Sequence, residues 1–203
     1  MLKLAIIALC LTFPGLPTEA VAAKPSAGIQ VYRVKTVLAA PYSGIITPAA
    51  AEFINGAIDR ANEGKFDLLV LQLDTPGGLD GSMREIVKKV LSSKAPVAVY
   101  VSPQGARAAS AGVFIAMASD IVAMSPGTNI GAAHPVMIGG MSSALGEKGE
   151  KKKDAMEEKM LNDASAYMKS ITQQKGRNVE WAIKAVTKSE SISAEEAPIL
   201  KPW

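Results

Sequence analysis

The sequence predicts an α/β fold in one globular domain, and three observations carry that reading. Short runs rich in apolar and β-branched residues alternate with longer runs of three- and four-residue periodicity, the rhythm of strands joined through helices to parallel neighbours. Turn-forming clusters, Asp74-Thr75-Pro76-Gly77-Gly78 and Ser125-Pro126-Gly127, punctuate those runs. The 203 residues, 48% hydrophobic and 20% charged, supply one core and would be cramped for two.

In chain order, the first element has the parts of a secretory signal. Lys3 is the positive end, Leu4 to Phe13 form an apolar run, and Pro14-Gly15 break it. Ala20-Val21-Ala22 and Val21-Ala22-Ala23 both offer small residues at cleavage-site spacing, so residues 1–23 are expected to be a signal peptide and the domain to be exported. Ten apolar residues rise only about 15 Å as a helix, roughly half the bilayer core. Cys10 is the single cysteine and falls inside this segment, so the processed protein would form no internal disulfide. Leu9 and the run continuing past Cys10 argue against lipid attachment there.

Beyond Gly28 the elements follow in order. Ile29 to Val34 reads as a first strand, Pro48 to Ala61 as a helix entered at a proline, and Leu68 to Leu73 as a fully buried strand. Met83, Ile86, Val87, Val90 and Leu91 mark one face of a helix whose Arg84, Lys88 and Lys89 face water. Val97 to Val101 is a buried strand, Val113 to Ala118 a helix, and Ile121 to Met124 a short strand. Residues 136–153, broken by glycines and serines, read as a mobile loop. From Glu147 to Lys159 five lysines meet five acids, which reads as a solvated helix start. Met156, Met160, Ala164, Tyr167, Met168 and Ile171 continue that helix to about Lys175, with Gly176 as cap. A last helix runs from the N-cap Asn178 to Thr187.

Charge names no partner. The formal +3 is the balance of 22 basic and 19 acidic residues spread along the chain, without the concentrated basic face of a nucleic-acid binder.

Two segments carry the residues that acyl transfer needs: a nucleophile, a base, and fixed donors where the carbonyl oxygen becomes negative. Gly77-Gly78 follows a buried strand, where missing side chains let backbone N–H groups approach a ligand. Ala109-Ser110-Ala111-Gly112 lies at the next strand-to-helix passage, with the Ala111 N–H beside the serine. Successive strand ends of a parallel sheet share the edge where such folds place ligands. Taken alone, the same residues also fit a tight turn and a helix start capped by Ser110.

The motifs Leu73-Asp74-Thr75-Pro76-Gly77-Gly78-Leu79, Ala108-Ala109-Ser110-Ala111-Gly112, Met124 to Ala132 and Ala166-Tyr167-Met168-Lys169-Ser170 occur in one order over residues 31–197. In this the chain resembles the NfeD family of membrane-associated peptidases, also called stomatin-operon-partner proteases. The resemblance implies a Clp protease/crotonase-like fold of repeated β-β-α units. It implies Ser110 as nucleophile, Lys159 as base, and backbone donors at Gly77, Gly78 and Ala111. No metal or other cofactor is implied, and the partner would be a stomatin-like or other membrane protein with an apolar segment. A homo-oligomer is implied as well. An ordinary lysine, with a pKa of about 10.4, is protonated at neutral pH, so Met156 and Met160 are expected to shield Lys159 from water.

His134, the only histidine, lies 24 residues after Ser110, much as in true Clp proteases, and is the alternative base. Two non-peptidase readings stand beside these: a scaffold with Ser110 idle, and an acyl-thioester enzyme, which export disfavours. Family members commonly continue beyond Glu195-Glu196-Ala197 into a further strand, whereas here Pro198 to Trp203 follow, so a shortened domain is expected.

Overall fold

Strand β2 (Leu68–Asp74) sits at the centre of a parallel sheet because alternate residues, Leu69, Leu71 and Leu73, are at most 1% exposed while their neighbours are only half-buried. Sequence reading makes this strand buried on both faces; in the computed structural model, which describes residues 33–136 and 147–197, helices cover one face. The sheet has the order β1 (Val37–Ser43), β2, β3 (Val97–Val101) and β5 (Ile121–Met124), all parallel. β3 and β5 have the bounds their apolar runs predict.

β1 corrects the sequence reading. Of the strand expected at 29–34, residues 29–32 lie outside the described residues and 33–34 are not in a strand. The strand that pairs with β2 is Val-Leu-Ala-Ala-Pro-Tyr-Ser, whose alanines and Pro41 give no β signal. Pro41 is tolerated because β1 is an edge strand, where a missing N–H donor need not interrupt a ladder.

Helix α1 (Pro48–Arg60) starts where predicted. Thr47 caps it by accepting from the Ala50 N–H, and Pro48 occupies the first turn, where its missing donor costs nothing. Ile54 and Ile58 of α1 meet Met83, Ile86, Val87 and Val90 of α2 (Asp80–Leu91) in the core. Each such side chain contributes roughly 1.5–3 kcal/mol by leaving water.

Three strands too short to show periodicity form a second sheet: β4 (Arg107–Ala109), β6 (Asn129–Gly131) and β7 (Ser191–Ser193). β4 and β6 are parallel, and β6 and β7 antiparallel. The unit β3, β4, α3 (Ala111–Ala118) is thus two strands of different sheets followed by a helix. The residue after β2, Thr75, forms an isolated bridge to Ala108 of the second sheet.

Helix α4 (Glu147–Gln174) begins inside the segment read as a loop over 136–153. The helix thus starts within the lysine and acid run, as that run predicts, and residues 155–159 are exposed, while 137–146 lie outside the described residues. Gly176, at φ 65°, and α5 (Val179–Thr187), capped by Asn178 Oδ1 accepting from the Trp181 N–H at 3.0 Å, follow the sequence reading. The signal peptide expected at 1–23, Cys10 and the residues after Ala197 lie outside the described residues.

Candidate active site

Ser110 stands between β4 and α3 with φ 50° and ψ −112°, in the left-handed half of backbone space that side chains other than glycine rarely enter. The backbone around it is pinned on both sides. Thr75 donates to the Arg107 carbonyl at 2.7 Å, Ala109 donates to the Thr75 carbonyl at 3.0 Å, and the Ser110 N–H donates to the Gly131 carbonyl at 3.1 Å. Strain of this kind persists only where surrounding structure over-determines it.

The half-buried Ser110 side chain makes no capping bond to α3, which removes the cap reading that the isolated sequence allows. Its Oγ is left to point elsewhere. The turn after β2 is shaped around it: a Cβ on Gly77 would meet Ser110 Cβ at 2.6 Å and Oγ at 3.1 Å. A Cβ on Gly78 would lie 2.2 Å from the Ile46 carbonyl oxygen, so glycine there permits the Ile46–Gly78 bridge.

The three backbone donors differ in their engagement. The Gly77 N–H donates to Thr75 Oγ1 at 3.1 Å, and its carbonyl accepts from Ile46 at 2.8 Å, so Gly77 shapes the turn. Among the described residues, the N–H groups of Gly78 and Ala111 have no acceptor in the chain. Ala111 opens α3, whose N-terminal end favours negative charge.

A cleft of about 480 Å³ opens against Ser110. It is lined by Gly78, Leu79 and Met83 around the start of α2, Phe114 of α3, Ala133, Pro135 and Val136 after β6, and Met160 and Ala164 of α4. The lining is mostly apolar, with Asp80, Arg84 and Asp163 the charged residues on it.

Sequence reading leaves Arg84 facing water, and here the structure differs. Arg84 Nε donates to Asp80 Oδ2 at 2.8 Å, Nη2 to Asp163 Oδ2, and the guanidinium carbon lies 4.3 Å from the Tyr167 ring centroid. Tyr167 in turn stacks on Phe114, centroids 6.0 Å apart. Burial works against the Arg84 charge, but the Asp80 hydrogen bond and the charges of Asp80 and Asp163 outweigh it and hold the guanidinium above its ordinary value. Burial also raises the Tyr167 phenol, against the pull of Arg84. The Asp80–Arg84 spacing of four on one helix is readable from sequence; Asp163, 79 residues away, is not.

The two base candidates take different places. His134 Nδ1 lies 3.1 Å from the Val186 carbonyl at the end of α5; its neighbours Ala133 and Pro135 line the cleft, as does Met160 beside Lys159, but neither His134 nor Lys159 itself does. Lys159 lies on α4 one residue before Met160 and one turn before Asp163, exposed and without an ion-pair partner among the described residues. Of the two methionines expected to shield it, Met160 lines the cleft and Met156 is 54% exposed.

Residues 36–200 match the model of the NfeD1b N-terminal domain. The chain belongs to that family. It is 37% identical over 161 residues to the membrane-bound protease PH1510 of Pyrococcus horikoshii, covering 79% of this chain and 35% of that protein. The chain therefore spans about a third of that relative's length. Solved structures of the 1510-N membrane-bound stomatin-specific protease superpose on 81% of this chain. One, a serine-to-alanine mutant, has TM-score 0.71 and 36% identity and is covered over 76% of its length. Another, a lysine-to-alanine mutant in complex with a substrate peptide, has TM-score 0.70 and 34% identity, with 72% covered. ClpP1 from Listeria monocytogenes, 18% identical with TM-score 0.57, matches over 80% of this chain and 86% of its own. The NfeD-family chain thus has the Clp protease fold. No helix among its described residues is long and apolar enough to cross a membrane.

Proposed function

We propose that this NfeD-family domain is a serine endopeptidase with a Ser110–Lys159 dyad, cleaving apolar segments of membrane proteins such as stomatin-like partners. The observation that carries the reading is Ser110 itself, a strained serine with an unused hydroxyl at a helix N-terminus, facing an apolar cleft. Support for the substrate class comes from the relative described as stomatin-specific and from the apolar lining.

Ser110 Oγ attacks the scissile carbonyl carbon as its proton passes to Lys159 Nζ. The carbonyl oxygen becomes negative where the Gly78 and Ala111 N–H groups can donate to it, the condition for stabilising that charge without reorganisation. Collapse of the intermediate expels the amine, which takes the proton back from Lys159, and leaves the acyl group on Ser110. Water activated by Lys159 then releases the acid. An apolar substrate lying along Met160 and Val136 excludes water from the lysine amine, the circumstance in which a lysine yields its proton near neutral pH. His134, held toward Val186, is assigned a structural part.

Fluorophosphonate labelling and cleavage of an apolar peptide by the mature chain test the proposal. Both are expected in the wild type and lost in Ser110→Ala, with cleavage at least about a hundredfold slower in Lys159→Ala. Labelling that survives Ser110→Ala sinks the nucleophile. Cleavage intact in Lys159→Ala but lost in His134→Ala moves the base role to the histidine. We also propose export with removal of residues 1–23 and a homo-oligomeric state. N-terminal sequencing of the secreted product and sedimentation velocity check these two.

A further inference from the structure

Helix α4 changes character along its length. Ala164, Met168 and Ile171 are buried in the core, whereas residues 155–159 are all exposed. Lys159 therefore lies at the end of an exposed stretch, just before the helix packs into the domain. The contacts nearest that stretch are Met160 on the cleft lining, Leu161 packed against the core, and the junction of Asp163 and Tyr167 with Arg84.

Arg84 joins three helices there. From α2 it holds Asp80 on its own helix and Asp163 on α4, and its planar face lies against Tyr167, which stacks on Phe114 of α3. A solitary exposed ion pair contributes little, because solvent screens it and two side chains must be immobilised. Arg84 escapes that limit in part, since its fork serves two carboxylates while its guanidinium lies against the Tyr167 ring. The side chain is only about a third exposed, at 32%.

We infer that Arg84 is a positioning residue for the proposed Ser110–Lys159 dyad, fixing α4 against α2 and α3 four residues beyond Lys159. The inference rests on that dyad reading and adds to it a cause for the geometry of the lysine. A misplacement of about 1 Å can cost on the order of a hundredfold in rate.

The mature chain carrying Arg84→Gln, Asp163→Asn, or both is compared with wild type by peptide cleavage and by amide exchange over 155–162. Each single change is expected to lower kcat about tenfold with KM within about twofold, and the double change to lose no more than the worse single one, as one shared contact requires. Exchange over 155–162 is expected to rise in all three, with that of α2 unchanged. A wild-type kcat in Arg84→Gln, a loss confined to KM, or additive losses would overturn the inference. So would exchange over 155–162 that stays at the wild-type level, a readout available even where cleavage is too slow to follow. Lys159→Ala, run alongside, separates the two ideas: full turnover without the lysine removes the dyad and this role with it. A dyad intact in a wild type insensitive to Arg84→Gln removes the Arg84 role alone.

Discussion

Ser110 occupies a conformation that costs an L-residue roughly 1–3 kcal/mol, and its neighbours hold it there. Gly77 is the sharpest case. It has φ 113°, and any Cβ there would strike the Ser110 side chain. Gly77→Ala is expected to destabilise the domain by about 1–3 kcal/mol through its backbone alone and to abolish Ser110 labelling. Urea unfolding and probe labelling measure the two effects separately; unchanged labelling would remove Gly77 from the site. Gly112 is constrained from the other side, since a Cβ there would come within 2.7 Å of Thr75 Cγ2. These small residues are visible in the sequence as glycines, but what each avoids is visible only in space.

At the scale of the element, α3 is terminated by a residue from a distant loop. Arg177, 6% exposed, donates through Nε to the Met117 carbonyl at 3.1 Å and through Nη2 to the Ser119 carbonyl at 2.6 Å. Arg177→Ala leaves both buried acceptors without those donors and is expected to cost about 2–4 kcal/mol in urea unfolding. Arg177→Lys, which lacks the planar fork, should recover less than half of that. Strand β1 has an acid-sensitive attachment. The Asp67 carboxylate accepts from the Thr36 and Lys35 N–H groups at 2.9 and 2.8 Å, and these bonds lower its pKa. A lowered folded value contributes stability that is full above the ordinary carboxylate range and is lost as pH falls through the folded value. Amide exchange at Lys35 and Thr36 should therefore rise as pH falls below the ordinary aspartate range of about 3.9. In Asp67→Asn that rise should be absent.

The whole molecule joins two sheets through shared loops, and the site forms where they meet. The larger sheet and its helices carry the core. Truncating Ile115, which is 0% exposed in α3, to alanine is expected to cost about 2–5 kcal/mol in urea, whereas the 47% exposed Phe53 should lose well under half as much. The smaller sheet adds little burial but brings Arg107 to Ala109 beside Thr75 and places Gly131 behind Ser110. Its strands of three residues each escape sequence reading because three residues cannot display a period, and their pairing spans up to about sixty residues of chain.

What the sequence by itself determined is therefore the α/β class, most helices and the inner strands. These depend on local periodicity and caps, such as Pro48 behind Thr47 and Asn178 before α5. Motif order, more than local chemistry, made Ser110, Lys159 and the backbone of Gly77, Gly78 and Ala111 the expected site. Tertiary structure decided which N–H groups stay unengaged, which way His134 turns, and that Arg84 leaves water to meet Asp163. The physical reason is reach. A helix is specified within a few residues, whereas a strained serine, its neighbouring donors and a shared guanidinium depend on atoms brought together from segments far apart in the chain.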